Sequence, residues 1–404
     1  MITVDEALNK ILSNIHPLGS EKVSILEALG RVIAEDSYAH RNIPPLDNSA
    51  MDGYALRFED IQEASQEYPV RLEVIEDLPA GFISKKKLER GKAIRIMTGA
   101  PIPEGADTVI PVEETKKEDG SVLIFKAAGL GENIRRSGED VKKGDRVISR
   151  GDRVRPAEVG MLASVGRSFV SVYQRPLVAI LCTGDELVDV DGQLDEVKII
   201  SSNSYTLTAQ VMDCGAIPVQ LGIARDHKDE IEEKLRQGIR ADLLISSAGV
   251  SVGDYDFVKE VMKKLGMEMV FWKVAMRPGQ PLAFGTIAGK PVFGLPGNPV
   301  SSMISFEQFV RPSLLKMMGC HQLFRPVIEA ILREEIRKRP GRRFFIRGSV
   351  SFEKGQYFVT TTGEQGSGIL KSMVKANGLI VIPEDQESAR AGEKVRVQLL
   401  DRNF

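Results

Sequence analysis

The chain has 404 residues, 42% hydrophobic and 27% charged, with a formal net charge of −2 at pH 7. That length exceeds one ordinary domain, and the near-neutral charge excludes a dedicated nucleic-acid binder. Three cysteines, Cys182, Cys214 and Cys320, are odd in number and too far apart for a metal knuckle, and four histidines offer no zinc spacing, so a reducing, cytoplasmic setting is expected.

Thr3-Val4-Asp5-Glu6 opens a helix as a capping arrangement, and Ala7, Leu8, Ile11, Leu12 and Ile15 form its apolar stripe. Its charged positions make it neither a signal peptide nor a membrane span. A second helix is expected over 24–34. Two prolines, Pro44 and Pro45, then stop any helix, and Asp47, Asn48 and Asp52 crowd into six residues. Asx-turns account for each singly, and a ligand-facing loop accounts for the cluster. From 68 to 147 the apolar runs 70–75, 93–97, 108–112 and 122–125 alternate with turn signals, as in a compact β-rich unit. Arg135 and Arg136 suit phosphate or carboxylate recognition, or pair with Glu139 and Asp140 at the surface. Helical periodicity returns over 156–165.

Strand and helix patterns then alternate from 176 to 316, which predicts a mostly parallel sheet with helices on both faces. In such sheets ligands bind beyond the carboxyl ends of the strands. The polar loops expected there are 183–186, 225–227, 246–256 and 294–302. In the third, Ser247, Gly249, Ser251 and Gly253 stand at a strand-to-helix turn where backbone N–H groups can approach an anion. Asp254 and Asp256 either cap the following helix or hold a cation that accompanies a phosphate. Convergence of these loops points to something phosphorylated together with a divalent cation. The basic runs Lys85-Lys86-Lys87 and 333–343 read as solvated faces. After 326, short alternating segments predict a small β-barrel or sandwich.

The strings DNSAMDGYA, RIMTGAPIPEGAD, NIRRSGED, TGDEL, GVSVGDYD and GLPGNPVS occur in this order across essentially the whole chain. Together they resemble the MoeA/gephyrin E-domain family of molybdopterin molybdenumtransferases. TGDEL and the Gly-Val-Ser-Val-Gly loop are also similar to smaller relatives of the MogA/MoaB type, whereas the first two strings and the C-terminal β unit resemble only the longer family. The resemblance implies a multidomain protein. A helical connecting domain takes 1–45 plus 137–175, a β-rich domain 46–136, a molybdopterin-binding-like α/β domain 176–325 and a β-barrel 326–404.

The implied activity inserts molybdate into adenylylated molybdopterin and releases AMP, with Mg²⁺ as cofactor. Asp52, Thr98, Glu186, Asp226 and Asp256 are the implied catalytic residues, with Asp140 next. Glu186, Asp226 and Asp256 are the candidate metal ligands, direct or through water, because a developing phosphate charge needs neutralising. The Ser247–Gly253 loop, Pro296-Gly297-Asn298-Pro299 with Ser301, and Arg277, Gln280, Arg347 and Ser372 are the implied binding residues for pterin and oxyanion. Many family members carry lysine where this chain has Arg277 and Gln280, so Gln280 loses a charge and the choice between molybdate and tungstate stays open. The resemblance further implies a homodimer whose cleft joins the α/β domain of one subunit to the β-rich domain of the other. It also implies a transient contact with the adenylyltransferase of the same pathway, with no membrane and no nucleic-acid partner. A pterin-binding scaffold without chemistry, and adenylylation of molybdopterin with release of pyrophosphate, are the alternatives.

Overall fold

The computed structural model describes residues 1–248 and 257–400. Gly249, Ser251, Gly253 and Asp256 lie outside the described residues.

The central sheet has six strands, in the order Ile217–Ala224, Leu177–Thr183, Leu243–Ser247, Lys290–Leu295, Ala283–Ile287 and Glu268–Trp272. All run one way except Ala283–Ile287, which is antiparallel to both its neighbours. Alternate side chains serve opposite layers, as the two-residue strand period requires. Val178, Ile180, Leu243 and Ile245 join Ile11, Leu207, Val211, Ile304 and Phe309 on one face. Ala179, Leu181 and Leu244 join Ile231, Leu235, Val258 and Val261 on the other. Each fully buried valine, leucine, isoleucine or phenylalanine among them contributes roughly 1.5–3 kcal/mol of transfer free energy.

The Val4–Ser13 helix has the expected capping box between Thr3 and Glu6 and sends Ala7 and Ile11 into the first of these layers. The helix expected over 24–34 does not form. Ser24 and Glu27 bond reciprocally, Ser24 N donating to Glu27 Oε2 and Glu27 N to Ser24 Oγ, which closes one isolated turn. Gly30 then takes φ +80, and Val32 and Ile33 bridge to Arg153 and Val172. Backbone pairing across the layer satisfies this segment where an isolated helix of about three turns would be marginal. The layer is completed by the Ser20–Ser24 and Phe169–Tyr173 pair and the Pro156–Ser164 helix, around Ala28, Ile33, Leu162 and Val172.

The β-rich unit is a second six-stranded sheet, ordered Thr108–Pro111, Gly53–Leu56, Lys92–Ile96, Val70–Leu78, Ser121–Ile124 and Thr115–Glu118. Gly53 faces Ile96 on one side and Pro111 on the other. A Cβ at Gly53 would stand 2.1 Å from the Ile110 carbonyl oxygen, so only glycine fits between these strands.

In the C-terminal unit Arg343–Glu353, Gln356–Thr361, Val327–Leu332, Lys394–Leu399 and Gly378–Ile382 pair in sequence, and the last returns to the first. That circuit is a closed barrel. Among the links that fasten it to the central domain are a strand pairing and an ion pair. Met276–Arg277 adds a short parallel strand to Arg343–Phe344, and Arg343 clamps Asp5 of the first helix through both terminal nitrogens at 2.9 and 2.7 Å.

Candidate functional site

A cavity of about 400 Å³ opens at the carboxyl ends of the central parallel strands. Ser247 and Ala248 form its floor after the Leu243–Ser247 strand, and Pro296, Gly297, Asn298 and Pro299 follow Lys290–Leu295. Two helices start at its rim, Ser202–Cys214 behind Ser201 and Pro299–Ser305 behind Asn298. Neither has an acidic residue in its first turn, and neither cap side chain accepts from a backbone N–H of its helix, Ser201 Oγ instead sharing a hydrogen bond with Ser204 Oγ at 2.8 Å. The positive ends of both helices therefore face the same space, which suits a phosphate or another oxyanion. Asn203 ties the three segments together, its Nδ2 donating to Ser247 Oγ and to the Gly297 carbonyl, each at 2.8 Å. Leu187, Ile199, Ile200 and Cys182 give the cavity an apolar wall. Ser301 is buried within its helix and is not among the lining residues.

Glu186 also lines this cavity. Next to it the Asp226 N–H donates to Asp185 Oδ1 at 3.1 Å, which brings a third carboxylate close. Burial, with repulsion from Asp185 and Glu186, holds the Asp226 carboxyl above its ordinary value. Among the described residues no three histidine, cysteine or acidic side chains are grouped to hold a metal.

Asp52 and Thr98, 46 residues apart, meet at one end of the β-rich sheet. Thr98 donates to Asp52 Oδ1 from both its backbone N and its Oγ1, each at 2.7 Å. These two bonds hold the exposed Asp52 carboxyl below its ordinary value, with a smaller contribution from Arg95. Neither residue is among those lining the Glu186 cavity. Asp140 sits on an exposed turn where its N–H donates to the Ile43 carbonyl. Arg136 pairs with Asp47 at 2.7 Å, while Glu139 accepts from the Arg136 backbone rather than from its guanidinium.

A second cavity, of about 710 Å³, lies between the Met276–Arg277 strand and the barrel. Arg277, Arg337, Lys338, Arg339, Arg342 and Arg347 line it, against Glu334 and Glu335. Arg347 is only 1% exposed, and burial pushes its guanidinium down to about 10. Its Nε donates to Ser372 Oγ at 3.0 Å and its Nη2 to the Gly366 carbonyl at 2.9 Å. Ser372 and Arg347 are thus brought together. Gln280 is among the lining residues of neither cavity, and its Oε1 accepts from Arg342 Nη1 at 2.9 Å. A guanidinium therefore stands beside the position where a lysine would bring its charge. The neighbouring Ser367 carbonyl accepts from Val300 N, linking the Arg347 loop to the helix that rims the first cavity.

Sequence reasoning missed Ser201, Ser202 and Asn203. The signal is the polar run Ser201-Ser202-Asn203-Ser204 at the start of the Ser202–Cys214 helix. The cationic cavity was also hidden, because 333–343 reads as a solvated basic run. Arg337 does bond Glu335 at the surface, whereas Arg342 turns inward to Gln280.

Residues 2–166 match the family model described as MoeA N-terminal region (domain I and II), 179–316 a probable molybdopterin binding domain, and 329–400 the MoeA C-terminal region (domain IV). The chain is similar to the molybdopterin molybdenumtransferase of Haemophilus influenzae, 39% identical over 403 residues, covering 98% of each chain. It is also similar to that of Nostoc sp., 37% identical and covering 98% of this chain and 93% of the relative. Among solved structures, the molybdopterin biosynthesis moeA protein from Pyrococcus horikoshii superposes with TM-score 0.87 at 35% identity, over 99% of this chain and 100% of that one.

The raised Asp226 carboxyl gives a stability test. A folded value above the unfolded one means that its contribution is fully present below the unfolded value and is lost as pH rises through the folded one. Asp226→Asn should therefore melt at a higher temperature than the parent at pH 8, and the gain should vanish near pH 3, below the ordinary carboxyl value of 3.8. Calorimetry across that range checks it, and a variant less stable at pH 8 contradicts the electrostatic picture.

Proposed function

Because this chain belongs to the MoeA family of molybdopterin molybdenumtransferases, we propose that it inserts molybdate into adenylylated molybdopterin and releases AMP. The observation that carries the reading is the Glu186 cavity, where two helix starts and one carboxylate line the same space. Helix ends attract the phosphates, and the wall of Leu187, Ile199 and Ile200 suits a flat ring. In this reading Ser247, Gly297 and Asn298 seat the pterin phosphate, and Gly249, Ser251 and Gly253, outside the described residues, are its further candidate binding residues. Asp52, kept ionised by Thr98, orients the water that attacks the phosphoanhydride. The water oxygen bonds to the adenylyl phosphorus and the bond from that phosphorus to the bridging oxygen breaks, so AMP leaves carrying the water's oxygen, the bridging oxygen stays on the pterin phosphate, and the released proton passes to solvent.

Mg²⁺ is the cation of this reading, and the one local observation that favours it is the Asp226 carboxyl, held above its ordinary value by burial and by the neighbouring Asp185 and Glu186. Glu186, Asp226 and Asp256 would hold it, directly or through water, and when bound it neutralises phosphate charge. Asp140 is the remaining carboxylate of the reading, on the connecting turn. Molybdate, a tetrahedral dianion, is assigned to the second cavity, where Arg277, Arg347 and Ser372 offer cations and a hydroxyl.

The Asp52–Thr98 half is supplied by a second copy of the chain. Apolar side chains exposed on the Ile217–Ala224 edge strand (Ile217, Val219) and on the connecting layer (Leu26, Leu29) support such a homodimer. The substrate would come from an adenylyltransferase through a transient contact, in the cytoplasm. No described helix is long and apolar enough to cross a membrane.

Two outcomes test the chemistry. Purified protein given adenylylated molybdopterin and molybdate should release AMP, and excess chelator should suppress that release. ATP consumption with pyrophosphate release would instead favour adenylylation, and undiminished AMP release in chelator would remove the metal. For the oxyanion, a unit charge about 4 Å from another is worth roughly 1–4 kcal/mol between water and a near-surface setting. Arg277→Gln should raise the molybdate concentration for half-maximal insertion at fixed ionic strength. An unchanged half-saturation point would move molybdate out of the second cavity.

A further inference from the structure

The second cavity holds more positive charge than its own acids neutralise. Of the two carboxylates that line it, Glu335 is taken by Arg337 Nε at 2.8 Å. Glu334 Oε1 accepts from Thr360 Oγ1 at 2.7 Å and from Thr361 N at 2.6 Å. Arg277, Arg342 and Arg347 line the same space, and among the described residues none of the three pairs with a carboxylate. Arg277 lies 5.5 Å from the centroid of the Phe344 ring, and Arg347 bonds only a hydroxyl and a carbonyl.

Arg342 is brought there by the strand pairing between barrel and central domain. Arg343 N donates to the Ala275 carbonyl at 2.9 Å, and Met276–Arg277 runs alongside Arg343–Phe344. That register sets residue 342 beside the turn that follows Arg277. Val274 N donates to the Gln280 carbonyl at 3.1 Å and closes this turn. Arg342 Nη1 then donates to Gln280 Oε1 at 2.9 Å. A guanidinium carries only donors, so the amide oxygen is the atom that faces it. The next residue is treated differently, because Arg343 is held by two carboxylates, those of Asp5 and Glu384. An amide fixes the direction of a guanidinium, keeps its charge and leaves its other N–H groups to a ligand. Three like charges around one space cost free energy unless an anion joins them.

We infer that Arg342 is a further oxyanion-binding residue of the second cavity, and that Gln280 is its positioning residue, holding the guanidinium toward molybdate without neutralising it. This rests on the reading that molybdate occupies that cavity. The barrel then contributes two of the cations around the oxyanion, Arg342 and Arg347, and the central domain contributes Arg277.

The test uses the full-length chain in the AMP-release assay at fixed ionic strength. Arg342→Gln should raise the molybdate concentration for half-maximal insertion about tenfold, the scale of one unit charge near a dianion, and leave the KM for adenylylated molybdopterin at the parent value. Arg342→Lys keeps the charge and should recover most of that loss. Gln280→Glu should also raise the molybdate requirement yet melt no lower than the parent, because a carboxylate there keeps the link to Arg342 while cancelling its charge. Gln280→Leu should have a smaller effect than Arg342→Gln, and no further effect in an Arg342→Gln background. An unchanged molybdate requirement in Arg342→Gln would overturn the inference. An equal rise in the KM for adenylylated molybdopterin would do the same, because Arg342 would then only be fastening the barrel. Arg277→Gln is measured in parallel. If it raises the molybdate requirement while Arg342→Gln does not, the role of Arg342 alone falls; if neither variant moves it, the placement of molybdate in this cavity falls as well.

Discussion

A parallel sheet buried on both faces can bring polar groups to a ligand only where its strands end. In this chain Val178, Ile180, Leu243 and Ile245 serve one layer, while Ala179, Leu181 and Leu244 serve the other. Neither face can spare a side chain for chemistry without opening a void. The loops after Thr183, Ala224, Ser247 and Leu295 are the positions left, and they hold Glu186, Asp226 and the Ser247 and Gly297 contacts of Asn203. The location of the cavity is therefore a consequence of how the core is filled.

Charge divides the site into regions of opposite character. Asp226 is held above its ordinary value among acids, whereas Arg347 is pressed down to about 10 among cations. Both shifts express the same cost, a charged group denied water without an opposite charge to replace it. Bound cation and bound oxyanion would relieve one each. The Gly366–Ser367 segment runs between them, bonded to Arg347 on one side and to Val300 on the other.

Much of this fold was legible because its elements obey one period each. The Leu177–Thr183 and Leu243–Ser247 strands are continuous apolar runs, and Phe257–Lys264 shows helical spacing. The segment 24–34 misled because Ile25, Ala28 and Leu29 imitate a helical stripe, while Gly30 and the bridges of Val32 and Ile33 decide its shape. Within the site, Glu186 and the Pro296–Pro299 turn could be read from their place after apolar runs. Contacts between distant segments could not. Nothing in the spacing of Asp52 and Thr98 reveals two hydrogen bonds across 46 residues. Gln280 looked like a lost charge because Arg342 lies 62 residues away on another domain.

In the proposed dimer, one active site is assembled from two halves on different copies of the chain. Subunits carrying Asp52→Ala and subunits carrying Glu186→Ala, each inactive alone, can be mixed and the verified heterodimers assayed for molybdate-dependent AMP release. Each heterodimer would hold one cleft with both parent carboxylates and one with neither, so activity should return to as much as about half that of the parent, the share its one intact cleft supplies. Heterodimers no more active than either mutant homodimer would contradict the account.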